Sequence, residues 1–81
     1  MVTHEEVAER VEQRTAWLLE GEADGPLASR PEALRAAAVG LVHAELEAIG
    51  ERRFRQMLTL EREARWAQAE RLTRYMQEAR Q

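Results

Sequence analysis

The stretch ELEAIGERRFRQM, residues 45–57, decides the fold because two properties of the chain change at its single glycine, Gly50. At 100° per residue, the apolar residues before Gly50 fall on one helix face, and those after it fall on a face roughly opposite. The charge changes as well. Residues 1–50 hold ten acids against four arginines, a balance of −6, whereas residues 51–81 hold five acids against eight arginines, a balance of +3. A straight helix would need partners on opposite sides of its two halves, so we expect a kink or break near Gly50.

The composition around this stretch predicts an all-α protein. Alanine, leucine, glutamate and arginine, which are good helix formers, fill most of the 81 residues. The chain has no cysteine, which excludes disulfides and thiolate metal sites. Every one of its 12 basic residues is arginine, a bias typical of a GC-rich bacterial genome. It has no apolar run long enough for a membrane span, and its first residues are acidic where a signal peptide is basic, so we expect a cytoplasmic protein.

Capping patterns predict where the first helix begins and ends. Thr3 and Glu6 have the spacing of a capping box, in which each side chain accepts a hydrogen bond from the other residue's amide. The apolar spacing that follows ends at Gly21, a natural helix stop. We therefore expect a helix at about residues 3–20, followed by a loop at residues 21–29.

A second start signal follows the loop. Ser29 and Glu32 repeat the capping-box spacing, and Pro31 lies in the first turn, where its missing amide hydrogen has no cost. Neither proline nor asparagine occurs after Pro31, so the pattern predicts one long helix at about residues 30–80, interrupted near Gly50. The chain is expected to form a single domain, residues 1–81.

A chain of this size hides only about 60–65 % of its surface on folding, so its own core is modest. We therefore expect a helical hairpin or a kinked three-helix chain whose core is completed by homo-oligomerisation, most simply as a two-fold dimer. The predicted core residues are Val7, Val11, Leu18, Leu34, Leu41, Val42 and Ile49. A second contact surface is predicted from Phe54, Leu58, Leu72 and Tyr75.

Several residues indicate a protein-protein interface. Trp17 and Trp66 lie off the main apolar stripes of their helices, and tryptophan is enriched where interfaces concentrate their energy. Glu45 projects into the stripe before Gly50, so this carboxylate needs a cationic partner such as Arg10, Arg14 or an arginine of another chain. The alternative for the tryptophans is ordinary packing within the chain. The predicted partner interface comprises Trp17, Glu45, Phe54, Leu58, Trp66, Leu72 and Tyr75.

The arginines after Gly50 admit a second interpretation. Arginines interleaved with aromatic residues contact phosphates and stack on bases, which is typical of a nucleic-acid surface. However, Glu51 with Arg55, and Glu61 with Arg65, are spaced four residues apart, as in ion pairs on a solvated helix face. The candidates for contact with a nucleic acid are Arg52, Arg53, Arg55 and Arg71.

Catalytic and metal chemistry have little support in the sequence. His43 and Glu47 lie one helical turn apart, but two ligands do not make a metal site, and only oligomerisation would bring further copies to join Glu45. There is no nucleophile-base pair and no glycine-rich phosphate loop, so we expect neither an enzyme nor a cofactor. The sequence therefore favours a non-enzymatic interaction module, such as an adaptor, assembly subunit or inhibitor. A small nucleic-acid-binding or regulatory dimer is the alternative, and a metal-binding bundle is a remote one.

Overall fold

The computed structural model describes residues 1–21 and 29–80, and this part of the chain is all-helical. It contains α1, His4–Gly21, and α2, Pro31–Ala79, and no strand within those two ranges. Most of the predicted loop, residues 22–28, lies outside the described residues. The all-α prediction is confirmed.

The N-terminus of α1 is held by the capping box expected from the sequence. The Thr3 amide donates to Glu6 Oε1 at 3.0 Å, and the Glu6 amide donates to Thr3 Oγ1 at 3.1 Å. These two bonds satisfy amide groups that a helix start would otherwise leave without partners. The helix ends at Gly21.

The start of α2 differs by one residue from the prediction. Its N-cap is Arg30 rather than Ser29, and the Arg30 side chain makes no capping hydrogen bond. Pro31 occupies the first helical position, where its fixed φ fits the helix and no amide hydrogen is needed. The backbone carbonyl of Arg30 accepts the Leu34 amide at 3.0 Å, which completes the first turn.

Gly50 is the one residue inside α2 whose backbone leaves the helical region, with φ 82° and ψ 167°. Only glycine adopts this conformation readily, because a Cβ would crowd the neighbouring backbone. The break divides α2 into a first segment, residues 31–49, and a second segment, residues 51–79. A straight helix of 49 residues would be about 73 Å long, whereas the longest extent of the molecule is 49 Å, so the two segments point in different directions.

The core lies around the Gly50 corner and is built from both segments and α1. Phe54 and Val42 are the largest fully buried side chains, and the smaller Ala38 is equally buried. The half-buried Leu46 and Ile49 pack against this cluster from the first segment. The remaining buried apolar residues are Val11, Leu34 and Leu58.

The structure corrects the predicted core in two ways. Leu41 is 43 % exposed, because it lies at the border of the buried face of the first segment. Phe54 and Leu58, expected on a separate contact surface, are 0 % and 2 % exposed and belong to the chain's own core. The break at Gly50 turns the second segment so that its apolar face meets the same core as the first segment.

Candidate interaction surface

A buried polar network joins α1 to both segments of α2. Glu45 Oε1 accepts a hydrogen bond from Arg10 Nε at 2.9 Å, and Glu45 Oε2 accepts one from Arg14 Nε at 3.1 Å. Arg10 also donates from Nη1 to Gln13 Oε1 at 2.7 Å, and Gln13 Nε2 donates to the Leu58 carbonyl at 3.2 Å. The cationic partners expected for Glu45 are therefore present within the chain.

The electrostatics of Glu45 follow from this arrangement. Burial by itself would raise the pKa of the Glu45 carboxyl, but the hydrogen bonds from Arg10 and Arg14 outweigh burial and hold that pKa below its ordinary value. Arg10 and Gln13 are almost completely buried. From the sequence, Arg10 was expected only as a partner for Glu45, and Gln13 was not identified. Their positions in the helical period could have identified both as buried residues, since both lie on the side of α1 that faces the two segments of α2.

Ion pairs at the rim hold the N-terminal part of the chain against the second segment. Arg55 Nε donates to Glu6 Oε2 at 2.9 Å, and its Nη2 donates to the Met1 carbonyl. The pKa of Glu6 is lowered to about 2. The hydrogen bond from Arg55 has the largest effect, and the hydrogen bond from the Thr3 amide has the next largest. Arg62 pairs with Glu9 in the same way, at 2.8 Å.

One of the two ion pairs expected from the sequence after Gly50 is replaced by other contacts. Glu51 accepts the Val2 amide and lies 3.3 Å from the N-terminal ammonium, and these contacts lower its pKa. Arg55 therefore pairs across helices with Glu6 rather than along its own helix with Glu51. The expected pair of Glu61 with Arg65 is present at 3.0 Å.

The four candidate nucleic-acid residues occupy different environments. Arg52 and Arg53 are exposed just after the Gly50 corner. Arg55 is engaged by Glu6, and Arg71 lies more than four turns further along the helix, with a long 3.5 Å contact from its Nε to the Ala67 carbonyl. The aromatic residue between these arginines, Phe54, is buried and offers no ring on which a base could stack. The structure does not gather them into one surface.

Trp17 lies near the end of α1, beside the buried polar network. Its side chain is 54 % exposed, and the Arg14 guanidinium lies over its ring at 5.3 Å from the centroid. Arg14 thus contacts both the Glu45 carboxylate and the Trp17 ring. A cation-π contact of this kind orients the indole while leaving more than half of it accessible.

One face of the second segment is buried in its first half and open in its second half, with the charged and polar residues Glu61, Arg65 and Gln68 between its two apolar parts. Positions 54, 58, 61, 65, 68, 72, 75 and 79 follow each other at steps of four and three residues, which places them on one helix face. Phe54 and Leu58 are buried, and the paired Glu61 and Arg65 are half-buried. From residue 66 to residue 80 every residue is exposed.

We call the open part of this face the C-terminal stripe, formed by Gln68, Leu72, Tyr75, Met76 and Ala79. Leu72 is 57 % exposed, Tyr75 69 % and Met76 58 %. Large apolar side chains that continue a buried face into solvent mark an interaction site more strongly than scattered ones. Met76 belongs to this stripe although it was not among the predicted interface residues.

Trp66 lies beside the stripe rather than on it. Its ring is 71 % exposed, and its Nε1–H donates to Glu70 Oε1 at 3.0 Å. Together with Arg62 and Ala69 it forms one wall of an open groove, and Glu9, Glu12 and Gln13 of α1 form the other. The two tryptophans therefore face solvent at different places on the molecule.

No metal-binding cluster forms in the part of the chain that the structure describes. His4 and His43 are both exposed, and no three residues of the types that ligate metals converge within residues 1–21 and 29–80. Neither α1 nor α2, as described, has the length and hydropathy to cross a membrane. Comparison of the chain with protein-family models, curated proteins and solved structures found no match.

Proposed function

We propose that this protein is a non-enzymatic helical interaction module, an adaptor, assembly subunit or inhibitor that associates with other chains through the second half of α2. The observation that carries the proposal is the C-terminal stripe. Its large apolar side chains are more than half exposed, although the same helix face is fully buried at Phe54 and Leu58.

Two features of the molecule support this function. The body around Gly50 has a core and a polar network of its own, so the second half of α2 is not required to build it. The exposed indoles of Trp17 and Trp66 add two anchor residues of the kind that dominate interface energies. We also propose that the protein associates with itself, most simply as a two-fold dimer.

A native pull-down tests this function. The wild-type chain is compared with Leu72→Glu, which places a charge on the stripe, and with Ala67→Glu, an exposed control on the other side of the same helix. We expect a co-purified protein in fixed stoichiometry that is lost from Leu72→Glu and kept by Ala67→Glu. Retention of that protein by both variants contradicts the proposed role of the stripe.

A nuclease treatment in the same experiment separates the nucleic-acid alternative. If the wild-type chain recovers nucleic acid, and Arg52→Ala with Arg53→Ala abolishes recovery while Leu72→Glu does not, the arginines after Gly50 are the binding surface. Phosphate contacts of that kind weaken steeply with salt. That outcome would contradict the interaction-module proposal, whereas nuclease-resistant recovery of a protein supports it.

A further inference from the structure

We propose that residues 68–79 of α2 pair in antiparallel orientation with the same residues of a second copy of this chain. The proposal rests on the proposed function and names its first partner. It starts from the spacing of the C-terminal stripe. Gln68, Leu72, Tyr75 and Ala79 alternate at steps of four and three residues, which is the spacing of the contact positions between two helices that cross at a small angle.

Antiparallel pairing gives each of these side chains a suitable neighbour. In the register centred between Thr73 and Arg74, Leu72 packs against Tyr75 of the second copy, and the two-fold axis repeats this layer. Ala69 then lies beside Met76 of the second copy, so a small residue meets a large one, as close packing of two helices requires. At each end of the paired helices, Gln68 of one copy packs against Ala79 of the other.

The charges that border the stripe complement each other in this orientation. Arg71 and Glu78 lie on the same border of the stripe, seven residues apart, and both are exposed. In an antiparallel pair the same border of the two helices lies side by side, and the two helices run in opposite directions. Arg71 of each copy therefore reaches Glu78 of the other. The symmetry forms this pair twice, and charges at such flanking positions set the partner and orientation of paired helices.

Parallel pairing is disfavoured by the same residues. It would place Arg65 opposite Arg65 of the second copy on the continuing stripe, and like charges at a contact position oppose association. It would also place Arg71 beside Met76 rather than beside an acid. In the antiparallel register Arg65 lies outside the layers that residues 68–79 form, and it keeps its partner Glu61.

The folded bodies leave room for this arrangement. The hydrogen bonds that residues 1–21 make with the second segment are at Glu51, Arg55, Leu58 and Arg62, all before residue 66. Antiparallel pairing of residues 68–79 places the two bodies at opposite ends of the paired helices. About three turns of each helix are covered, so we expect an interface at the small end of the range, below about 1,200 Å² in total. Interfaces of that size belong mostly to weak, transient complexes, so we expect the dimer to dissociate on dilution into the micromolar range.

Exchange of the charges at Arg71 and Glu78 tests the proposed antiparallel register. Arg71→Glu should weaken the dimer about tenfold, since it breaks two ion pairs and creates two like-charge contacts. The double variant Arg71→Glu with Glu78→Arg should return the dissociation constant to the wild-type value. Arg74→Glu makes the same change of charge on the outer face of the helix and should leave dimerisation unchanged. The measurement is sedimentation equilibrium, with circular dichroism to show that each variant folds.

Spin labels on single introduced cysteines measure the orientation, because the chain has no cysteine of its own. Gln77, Glu63 and Gln56 all lie on the outer face of the second segment and are exposed. In the antiparallel dimer the distance between labels should increase by roughly 15–20 Å at each step from Gln77 to Glu63 to Gln56. In a parallel dimer the three distances would be nearly equal.

Three results would overturn the pairing: a monomer at every concentration, equal label distances at the three positions, or equal weakening by Arg71→Glu and Arg74→Glu. These measurements use the purified chain alone, whereas the pull-down reports partners of other kinds. If self-pairing fails but a partner that depends on the stripe is recovered, the proposed function as an interaction module still holds. A confirmed pairing without such a partner restricts the function of the stripe to self-association.

Discussion

The Glu45 carboxylate lies between two guanidinium groups at the point where all three helical segments meet. A buried ion pair of this kind adds little net stability compared with an apolar cluster, but removal of one member leaves the others charged and without compensation. The network thus fixes the position of α1 relative to both segments. The positions of Arg10 and Gln13 in the centre became visible only with the tertiary structure, since an arginine on a helix surface is usually solvated.

Replacement of Glu45 by alanine should therefore be costly. We expect Glu45→Ala to lower the free energy of unfolding by about 3 kcal/mol, because Arg10 would remain buried without its carboxylate. Glu47→Ala, at an exposed position of the same helix, should change stability by less than about 0.5 kcal/mol. Urea denaturation of the two variants measures the difference. Equal stabilities would show that the network does not hold the three segments together.

The Glu6 carboxyl makes stability depend on pH in a defined direction. Its pKa is lowered from 4.5 to about 2 by Arg55 and Thr3, so its contribution is complete above about pH 4.5 and is lost as the pH falls towards 2. We expect wild-type stability to decline across this window and Glu6→Gln to reduce the decline. Glu47→Gln is the matched control and should leave the wild-type slope unchanged. A Glu6→Gln profile with the wild-type slope would contradict this assignment.

At the scale of elements, the backbone break at Gly50 determines which way the apolar face of the second segment of α2 points. The sequence signals its role through the change of apolar face, which requires only the 3.6-residue helical period to detect. The consequence of the turn was harder to foresee. Phe54 and Leu58 were predicted to face a partner, because periodicity identifies a face but not what covers it. The backbone conformation at Gly50 directs that face into the chain's own core.

Two glycines of α2 provide a matched test of this break. Gly50→Ala should destabilise the protein by about 1–3 kcal/mol, because its backbone conformation is nearly restricted to glycine. Gly40→Ala lies within regular helix and should stabilise the protein by about 0.5–1 kcal/mol. Apart from the neighbouring backbone, an added Cβ meets no atom within 4 Å at either position, so contacts with other parts of the chain do not confuse the comparison. Thermal unfolding measures both, and a stabilising Gly50→Ala would contradict the break.

At the scale of the whole molecule, α2 is supported along part of its length only. Phe54 and Leu58 are buried and Arg62 pairs with Glu9 of α1, whereas every residue from 66 to 80 is exposed. Trp66, Leu72 and Tyr75 are predicted interface residues because of their apolar character and their positions on the helix. Periodicity does not show which part of this helix face the chain covers by itself, because that depends on where α1 lies against α2.

The central claim is that the C-terminal stripe is a contact surface that a second chain covers. Amide hydrogen exchange measured at low micromolar and at near-millimolar protein concentration tests it most directly, because association protects the amides that it orders. We predict that protection of residues 66–79 increases with concentration in the wild-type chain and not in Leu72→Glu, while residues 31–62 exchange at the same rate throughout. Exchange of residues 66–79 that is independent of concentration, whether fast or slow, would contradict the account.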